Sequence, residues 1–480
     1  MVGTVFARLG RRRRCNMQLA YELSRRSAAL RFEELPPQAV HWAKVGILDT
    51  VGVTVAGSVE PAARILGLVV PPTAGTSLVF GSADRTSALD AALINGTAAH
   101  ALDFDDCNNT LGGHPSAPIL PALFALADER PVDGRSFITA YVAGFETECK
   151  LALGVNFHHY TKGWHATATL GVHGAAAAAC RLLRLDARRT ATALAIASSL
   201  ASGIKANFGT MTKPLHVGHC ARNGLLAALL AEQDFTANAG EFEHNQGFLD
   251  VFNGPGTYDT ARILAHWGAP FDVVEPGISI KQYPCCGSTH PALDVTLDIV
   301  RRGDLESQRV ARIECWTHAR RLEHTNRPDP QSGLEAKFSV QYCLARALTD
   351  RAIRIEHFEG DAFRDPAVRT VLPRVHAAAY TTTQFPADNH FGAEVKVTTV
   401  DGKVLAGKID EALGRTSANP LPAERLREKF ESCIRRALPG SRAKALADMV
   451  ERLDTLADMR TLSELLCGAP AGRARQANFR

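Results

Sequence analysis

Acids, imidazoles and an ammonium stand where the helices of this chain break. Asp103-Phe104-Asp105-Asp106 is followed eight residues later by His114-Pro115-Ser116, and Gly209-Thr210-Met211-Thr212-Lys213-Pro214-Leu215-His216 forms a second cluster. A carboxylate beside an imidazole can move a proton. A lysine with a histidine can hold the carboxylates of a small acid and absorb the negative charge that builds as a C–H bond breaks. Three aspartates at a helix C-terminus oppose the helix dipole, so a cation, a metal or a bound proton has to compensate them. The plain alternative is a solvated helix end capped by His114. Mg²⁺ or Ca²⁺ would suit the aspartates, but the glycine-centred loop of an EF-hand is missing and Phe104 interrupts the cluster.

His165 follows Gly163-Trp164 and opens an alanine-rich helix whose free N–H groups favour an anion, or simply cap a buried helix start. Lys213 precedes Pro214 at a first-turn position, so its ammonium also stands at a helix N-terminus. Ammonium and helix end make sense together when both face a carboxylate; a lysine snorkelling into water is the simpler reading. Lys281 leads into Gln282-Tyr283-Pro284-Cys285-Cys286-Gly287-Ser288-Thr289-His290-Pro291, a polar segment between a strand and a helix. Loops of that kind carry function more often than packing. Cys286 is a conceivable nucleophile, although the sequence supplies it no fixed base.

The elements that position these residues are mostly helical. Apolar side chains recur at helical spacing from Pro37 to about Ala56 and from Ala91 to Ala101, and further helices are predicted over 118–126, 134–153, 166–183, 190–202 and 214–231. Near residue 268 the texture changes. Val273 to Tyr283 reads as extended, Val310 to His318 as a strand, and 394–400 with 403–408 as a hairpin whose Asp401-Gly402 is a type I′ signal. After Pro420 the helical pattern returns over 426–437, 443–457 and 461–466. The organisation expected is a helical domain over 17–267, an α+β lid over 268–405, and a segment over 406–480 that folds back onto the first domain.

Composition sets the class. The chain has 480 residues, more than one hydrophobic core usually supports. Its 54 basic and 50 acidic residues balance to +4, too even for a nucleic-acid or membrane footprint. The 11 cysteines are scattered, with no C-x-x-C pair, so neither a disulfide framework nor a zinc site is written here and a reducing cytoplasm is expected. The basic run Arg11 to Arg14 lacks the apolar core of a secretory signal, so residues 1–16 read as a disordered extension or the product of a misplaced start codon, with an organelle transit peptide as the minor alternative. No dinucleotide fingerprint, Walker loop or Gly-x-Ser-x-Gly elbow occurs, which makes cofactor-free chemistry the leading class.

The stretches His100-Ala101-Leu102-Asp103-Phe104-Asp105-Asp106, His114-Pro115-Ser116, Gly163-Trp164-His165, Thr212-Lys213-Pro214-Leu215-His216 and Lys281-Gln282-Tyr283-Pro284 resemble the MmgE/PrpD family. Asn326-Arg327-Pro328 and Glu335-Ala336-Lys337-Phe338-Ser339 extend the likeness, which runs from about 18 to about 460. Known activities in that family include 2-methylcitrate dehydratase, cis-aconitate decarboxylase and iminodisuccinate epimerase. The resemblance implies a large helical domain built from both chain ends, a smaller α+β lid, a homodimer, and a pocket between the domains that needs neither cofactor nor metal.

It also implies that Asp103, His114, His165, Lys213 and Lys281 are catalytic, and that a small di- or tricarboxylate meets Lys213, Lys281, His165, Tyr283, Cys286 and Cys107. Cys107 stands where a threonine is often found, Asn108 where a histidine often follows, and Cys286 where the decarboxylases carry a histidine. In the reading that results, Lys213 and Lys281 clamp carboxylates and His114, oriented by Asp103, moves the proton. Dehydration or a related lyase reaction is preferred, then epimerisation, then decarboxylation. A non-catalytic dimer that binds a carboxylate is the alternative from another class.

Overall fold

A computed structural model describes residues 19–70 and 73–469. The extension expected over 1–16 lies outside the described residues. The first part of the chain is helical: α1 (Leu19–Ala29), α2 (Pro37–Gly57), α3 (Ala88–Ala101), α4 (Ser116–Glu129), α5 (Gly134–Val155), α6 (Gly171–Leu182), α7 (Ala187–Leu200) and α8 (Thr212–Glu232). The single alanine-rich helix expected over 166–183 is divided at Leu170 into a short turn, Ala166–Thr169, and α6. Among the described residues no single helix is long and apolar enough to cross a membrane.

Helices α3 and α8 cross through two glycines. A methyl group at Gly96 would meet Gly218 Cα at 2.8 Å, and one at Gly218 would meet Leu93 O at 2.2 Å. Backbones can approach this closely only where both side chains are absent. The crossing brings the C-terminal end of α3, where Asp103 stands, to the N-terminal end of α8, where Lys213 stands.

Two apolar cores organise the molecule. The larger takes Ile47, Phe124, Tyr141 and Leu225 from the helices above, together with Phe430, Leu446 and Leu462 from three helices near the other end, Ala423–Ile434, Ser441–Glu451 and Arg460–Leu466. The second takes Leu293, Ile313, Tyr342 and Val395. It packs helix α9 (His290–Gly303) and helix α10 (Val340–Asp350) on a four-stranded sheet of β1 (Val310–Thr317), β2 (Val375–Ala379), β3 (Ala393–Thr399) and β4 (Val404–Ile409). The strand order is β2-β1-β3-β4, with β1 parallel to β2 and antiparallel to β3, and β3 antiparallel to β4. Alternation along β3 buries Val395 and Val397, facing α9 and the core.

The structure corrects several expectations from the sequence. Phe271, Val273, Ile278 and Ile280 are buried in the helical core, so the passage between cores falls near Lys281 and not at 268. Strand β4 runs to Ile409, past the boundary expected at 405, because its pairing with β3 continues to Ala393↔Ile409. The β3–β4 turn has positive φ at Gly402 alone (84°), whereas type I′ needs it at both central residues; Gly402 N–H donates to Thr399 O at 3.0 Å. Segment 273–283 is only partly extended: residues 273–277 form a wide turn, closed by Gly277 N–H donating to Asp272 O at 3.1 Å, before Ser279 pairs with Cys107.

Candidate active site

Helix α3 ends at Ala101, and the chain turns through Asp103 in the left-handed region (φ 54°). A non-glycine residue there is uncommon, and such strain gathers at functional sites. Four lysines hold this turn. Lys337 Nζ donates to Leu102 O at 2.6 Å, Lys281 Nζ to Asp103 O at 2.6 Å and Oδ2 at 3.0 Å, and Lys429 Nζ to Phe104 O at 2.8 Å. The fourth, Lys213, pairs with Asp103 Oδ1. These cations answer the helix C-terminus and its aspartates, and the first turn of α8 adds its positive dipole end. Burial raises the Asp103 pKa, but Lys213 and Lys281 outweigh it and hold the carboxyl well below its ordinary range. The carboxylate faced jointly by Lys213 and a helix N-terminus is therefore the protein's own.

His114 follows a loop anchored by Asn108, which pairs with Gly113 and whose side chain accepts from Leu111 N–H at 2.9 Å. Its Nδ1 lies 3.1 Å from Asp105 Oδ2, while its Nε2 lies 3.9 Å from Asp103 Oδ1, beyond hydrogen-bonding reach. The orienting carboxylate is thus Asp105, which corrects the expectation of Asp103. The same Asp105 oxygen is 2.7 Å from His100 Nδ1. Burial lowers the basicity of His114, but the Asp105 and Cys107 charges outweigh it and raise the pKa to about 10. His114 is accordingly an imidazolium at neutral pH, a proton donor with Nε2 left for the cavity. Burial, then His100 and Lys213, push His165 well below its ordinary range, so it is neutral; its Nδ1 is 3.2 Å from His216 Nδ1 and its buried Nε2 has no partner.

A cavity of about 140 Å³ opens between the two cores. Of the residues singled out in the sequence, Asp103, Cys107, His114, His165, Lys213, Lys281 and Cys286 line it. Tyr283 does not: its hydroxyl donates to Asp294 at 2.6 Å and its ring packs in the lid core, against His290. Both cavity cysteines are acidic thiols. Burial raises them, but His114 and Lys281 bring Cys107 to about 6, and a bond to His324 brings Cys286 to about 7.

Sequence reasoning missed several cavity residues, among them Arg320, Arg321, His324 and Arg415. The first three follow β1 on a short helix, Ala319–Thr325, and a basic pair at a strand-to-helix turn was a usable signal. Arg415 sits in a loop without any. Lys429, which arrives from the far end of the chain, had none either.

His100, Asp105 and His114 place their ligand atoms within 4.8 Å of one another, a spacing that could hold a metal. Those atoms already bond to one another through Asp105 Oδ2, and a protonated His114 Nδ1 offers no lone pair.

Comparison with known proteins identifies the family. Residues 21–261 match the MmgE/PrpD N-terminal domain and residues 283–455 the MmgE/PrpD C-terminal domain. The chain is similar to a human cis-aconitate decarboxylase, 30% identical over 452 residues that cover 92% of each protein. It is also similar to the cis-aconitate decarboxylases of mouse (30% identical, 82% of this chain and 81% of the relative) and Aspergillus terreus (27%, 93% and 95%). The chain belongs to the MmgE/PrpD family and is, at the level of that family, an enzyme of the lyase type.

Proposed function

We propose that this protein is a cofactor-independent lyase acting next to a carboxylate of a small di- or tricarboxylate. The observation that carries the reading is His114, held as an imidazolium by Asp105 on the wall of a cavity ringed by cations. Fixed positive charge stabilises the enediolate-like dianion formed when a bond at that carbon breaks, and does so better than solvent because it needs no reorganisation. His114 Nε2–H then supplies the proton that ends the step. It can protonate a departing hydroxyl, or the carbon left after loss of CO₂.

Loss of CO₂ from an unsaturated tricarboxylate such as cis-aconitate is the form we favour. That route asks for charge stabilisation and one proton donor, and relatives bearing that name support it. In the step, the C–CO₂⁻ bond breaks, its electron pair passes into the conjugated carboxylate, and carbon takes the His114 proton. Dehydration of a β-hydroxy acid is the second reading, favoured by the neutral, unpartnered His165 Nε2 as an acceptor beside the protonated His114. Inversion of a stereocentre needs bases on opposite faces and is less well served by a His114 that starts the step protonated.

The test is NMR of the enzyme with cis-aconitate and, separately, citrate and 2-methylcitrate in D₂O. Decarboxylation yields CO₂ and a product with one deuterium on carbon; dehydration yields an alkene from the hydroxy acids. Absence of turnover and of deuterium exchange with every acid would refute the reading.

A further inference from the structure

The positive charge of the cavity is unevenly spent. Lys213 and Lys281 share Asp103, and His114 has Asp105. Arg321 and Arg415 have no such partner among the described residues. Both guanidinium carbons lie 4.4 Å from the centroid of the same ring, Phe391, so the two cations meet on one aromatic residue of the lid wall. Arg321 donates to Ser288 Oγ at 3.2 Å and to His390 O, both neutral groups. Arg415 Nε is buried with no hydrogen-bond partner. Glu411, an acid near Arg415 in the chain, accepts from Thr416 Oγ1 at 3.1 Å and forms no ion pair with it. Burial, and then Arg415 itself, lower the Arg321 pKa to about 9; Arg415 is lowered by burial too.

Two half-buried like charges, with no carboxylate in ion-pair reach among the described residues and the acidic thiols of Cys107 and Cys286 as their nearby anions in the cavity, are costly unless a further negative charge completes them. The planar donor fork of a guanidinium matches a carboxylate in two-point fashion, and stacking on Phe391 fixes its plane. Both residues line the cavity, as do Ser288 and Phe391, so the missing anion belongs to whatever occupies it.

We propose that Arg321 and Arg415, held by Phe391 and Ser288, form a second carboxylate subsite on the lid wall, facing the wall of Asp103, Lys213 and His114. The substrate therefore carries at least two carboxylates, one for each wall, and the arginines rather than the paired lysines contribute most to its retention. This rests on the reading of the cavity as a polycarboxylate site.

The experiment is calorimetric titration of the full-length enzyme with tricarballylate, a saturated tricarboxylate, beside thermal melts without ligand. Wild type, Arg415→Gln, Arg321→Gln, Arg415→Lys and Lys213→Ala are compared. Arg415→Gln and Arg321→Gln should each weaken tricarballylate by about 10- to 100-fold, as expected for a charged hydrogen-bonded pair. Arg415→Lys should fall between, because it keeps charge and loses the fork. Without ligand, Arg415→Gln should melt at or above the wild-type temperature, since an unpaired cation has been removed; a merely structural arginine would lower it. Unchanged affinity in the arginine variants, with binding lost in Lys213→Ala, would overturn the subsite and leave the polycarboxylate reading intact. Binding lost in Arg415→Gln together with a lowered ligand-free Tm would also overturn it. Failure of wild type to bind tricarballylate would overturn the polycarboxylate reading itself.

Discussion

At His114 the two ring nitrogens have different neighbours, and the difference makes a prediction. Nδ1 is held by Asp105 at 3.1 Å, while Nε2 has Asp103 only at 3.9 Å. If the charged imidazole is the proton donor, kcat/KM is lost as pH rises through its pKa, about 10 in the folded protein. Asp105→Asn removes the charge that raises it, so this basic limb should move towards the ordinary ~6.5. Asp103→Asn should move it far less. Penalties of Asp105→Asn and His114→Ala should not multiply, because the orienting group has nothing to act on once the donor is gone. Lys213→Ala should lower stability as well as turnover, since it takes one of two ammoniums from a buried carboxylate. Breaking a buried pair costs about 3–5 kcal/mol, and Lys281 offsets part of that. The sign of the pH effect is checkable by denaturation. The Asp103 pKa is depressed, so in wild type its contribution is present above ~3.9 and lost as pH falls below it; the variant should show a shallower loss. EDTA should leave activity unchanged, because a metal on His100, Asp105 and His114 would have to displace the proton that His114 holds up to about pH 10. Inactivation by chelator with recovery on adding a divalent cation would contradict this.

Helices α3 and α8 act on the site through their crossing. Gly218→Ala places a methyl group 2.2 Å from Leu93 O and Thr97 Oγ1, so the helices must separate. Overpacking of this kind costs about 1–3 kcal/mol. The consequence for catalysis should exceed that for stability, because the displaced ends carry Asp103 and Lys213, and misplacement by 1 Å can cost about 10²-fold in rate. Urea denaturation with kcat/KM on the same preparation separates the two. A variant that loses stability but keeps full activity would show that the site tolerates the shift.

For the whole molecule, the cavity between the two cores makes its occupant a bridge. One wall comes from the core that holds Ile47 and Phe430, the other from the core that holds Ile313 and Tyr342. A ligand that binds only the folded arrangement stabilises by about 2.7 kcal/mol at 100 times its Kd. Citrate at such excess should slow amide exchange in 102–114 and in 318–324 together, although these segments lie on different cores. Protection confined to one of them would mean that the acid binds a single wall.

Much of the fold was legible because helices and strands announce themselves locally. The 3.6-residue periodicity that predicted a helix from Pro37 to Ala56 is the apolar face that α2 buries, and alternation marked β1, β3 and β4. The parallel strand β2 was not read, since its partner lies some sixty residues away and pairing of that kind leaves little local trace. Residue chemistry was legible in part: a carboxylate cluster at a helix end required cations, and Lys213 and Lys281 are among them. Which acid partners which base was not. Asp103 and Asp105 are two residues apart in sequence, and only the left-handed turn at Asp103 sends one carboxylate to the lysines and the other to His114 and His100. Lys337, Lys429, Arg321 and Arg415 come from distant segments and meet the site through packing alone, so the aspartate cluster at a helix end could by itself specify that cations were needed, while tertiary structure decided which side chains supply them.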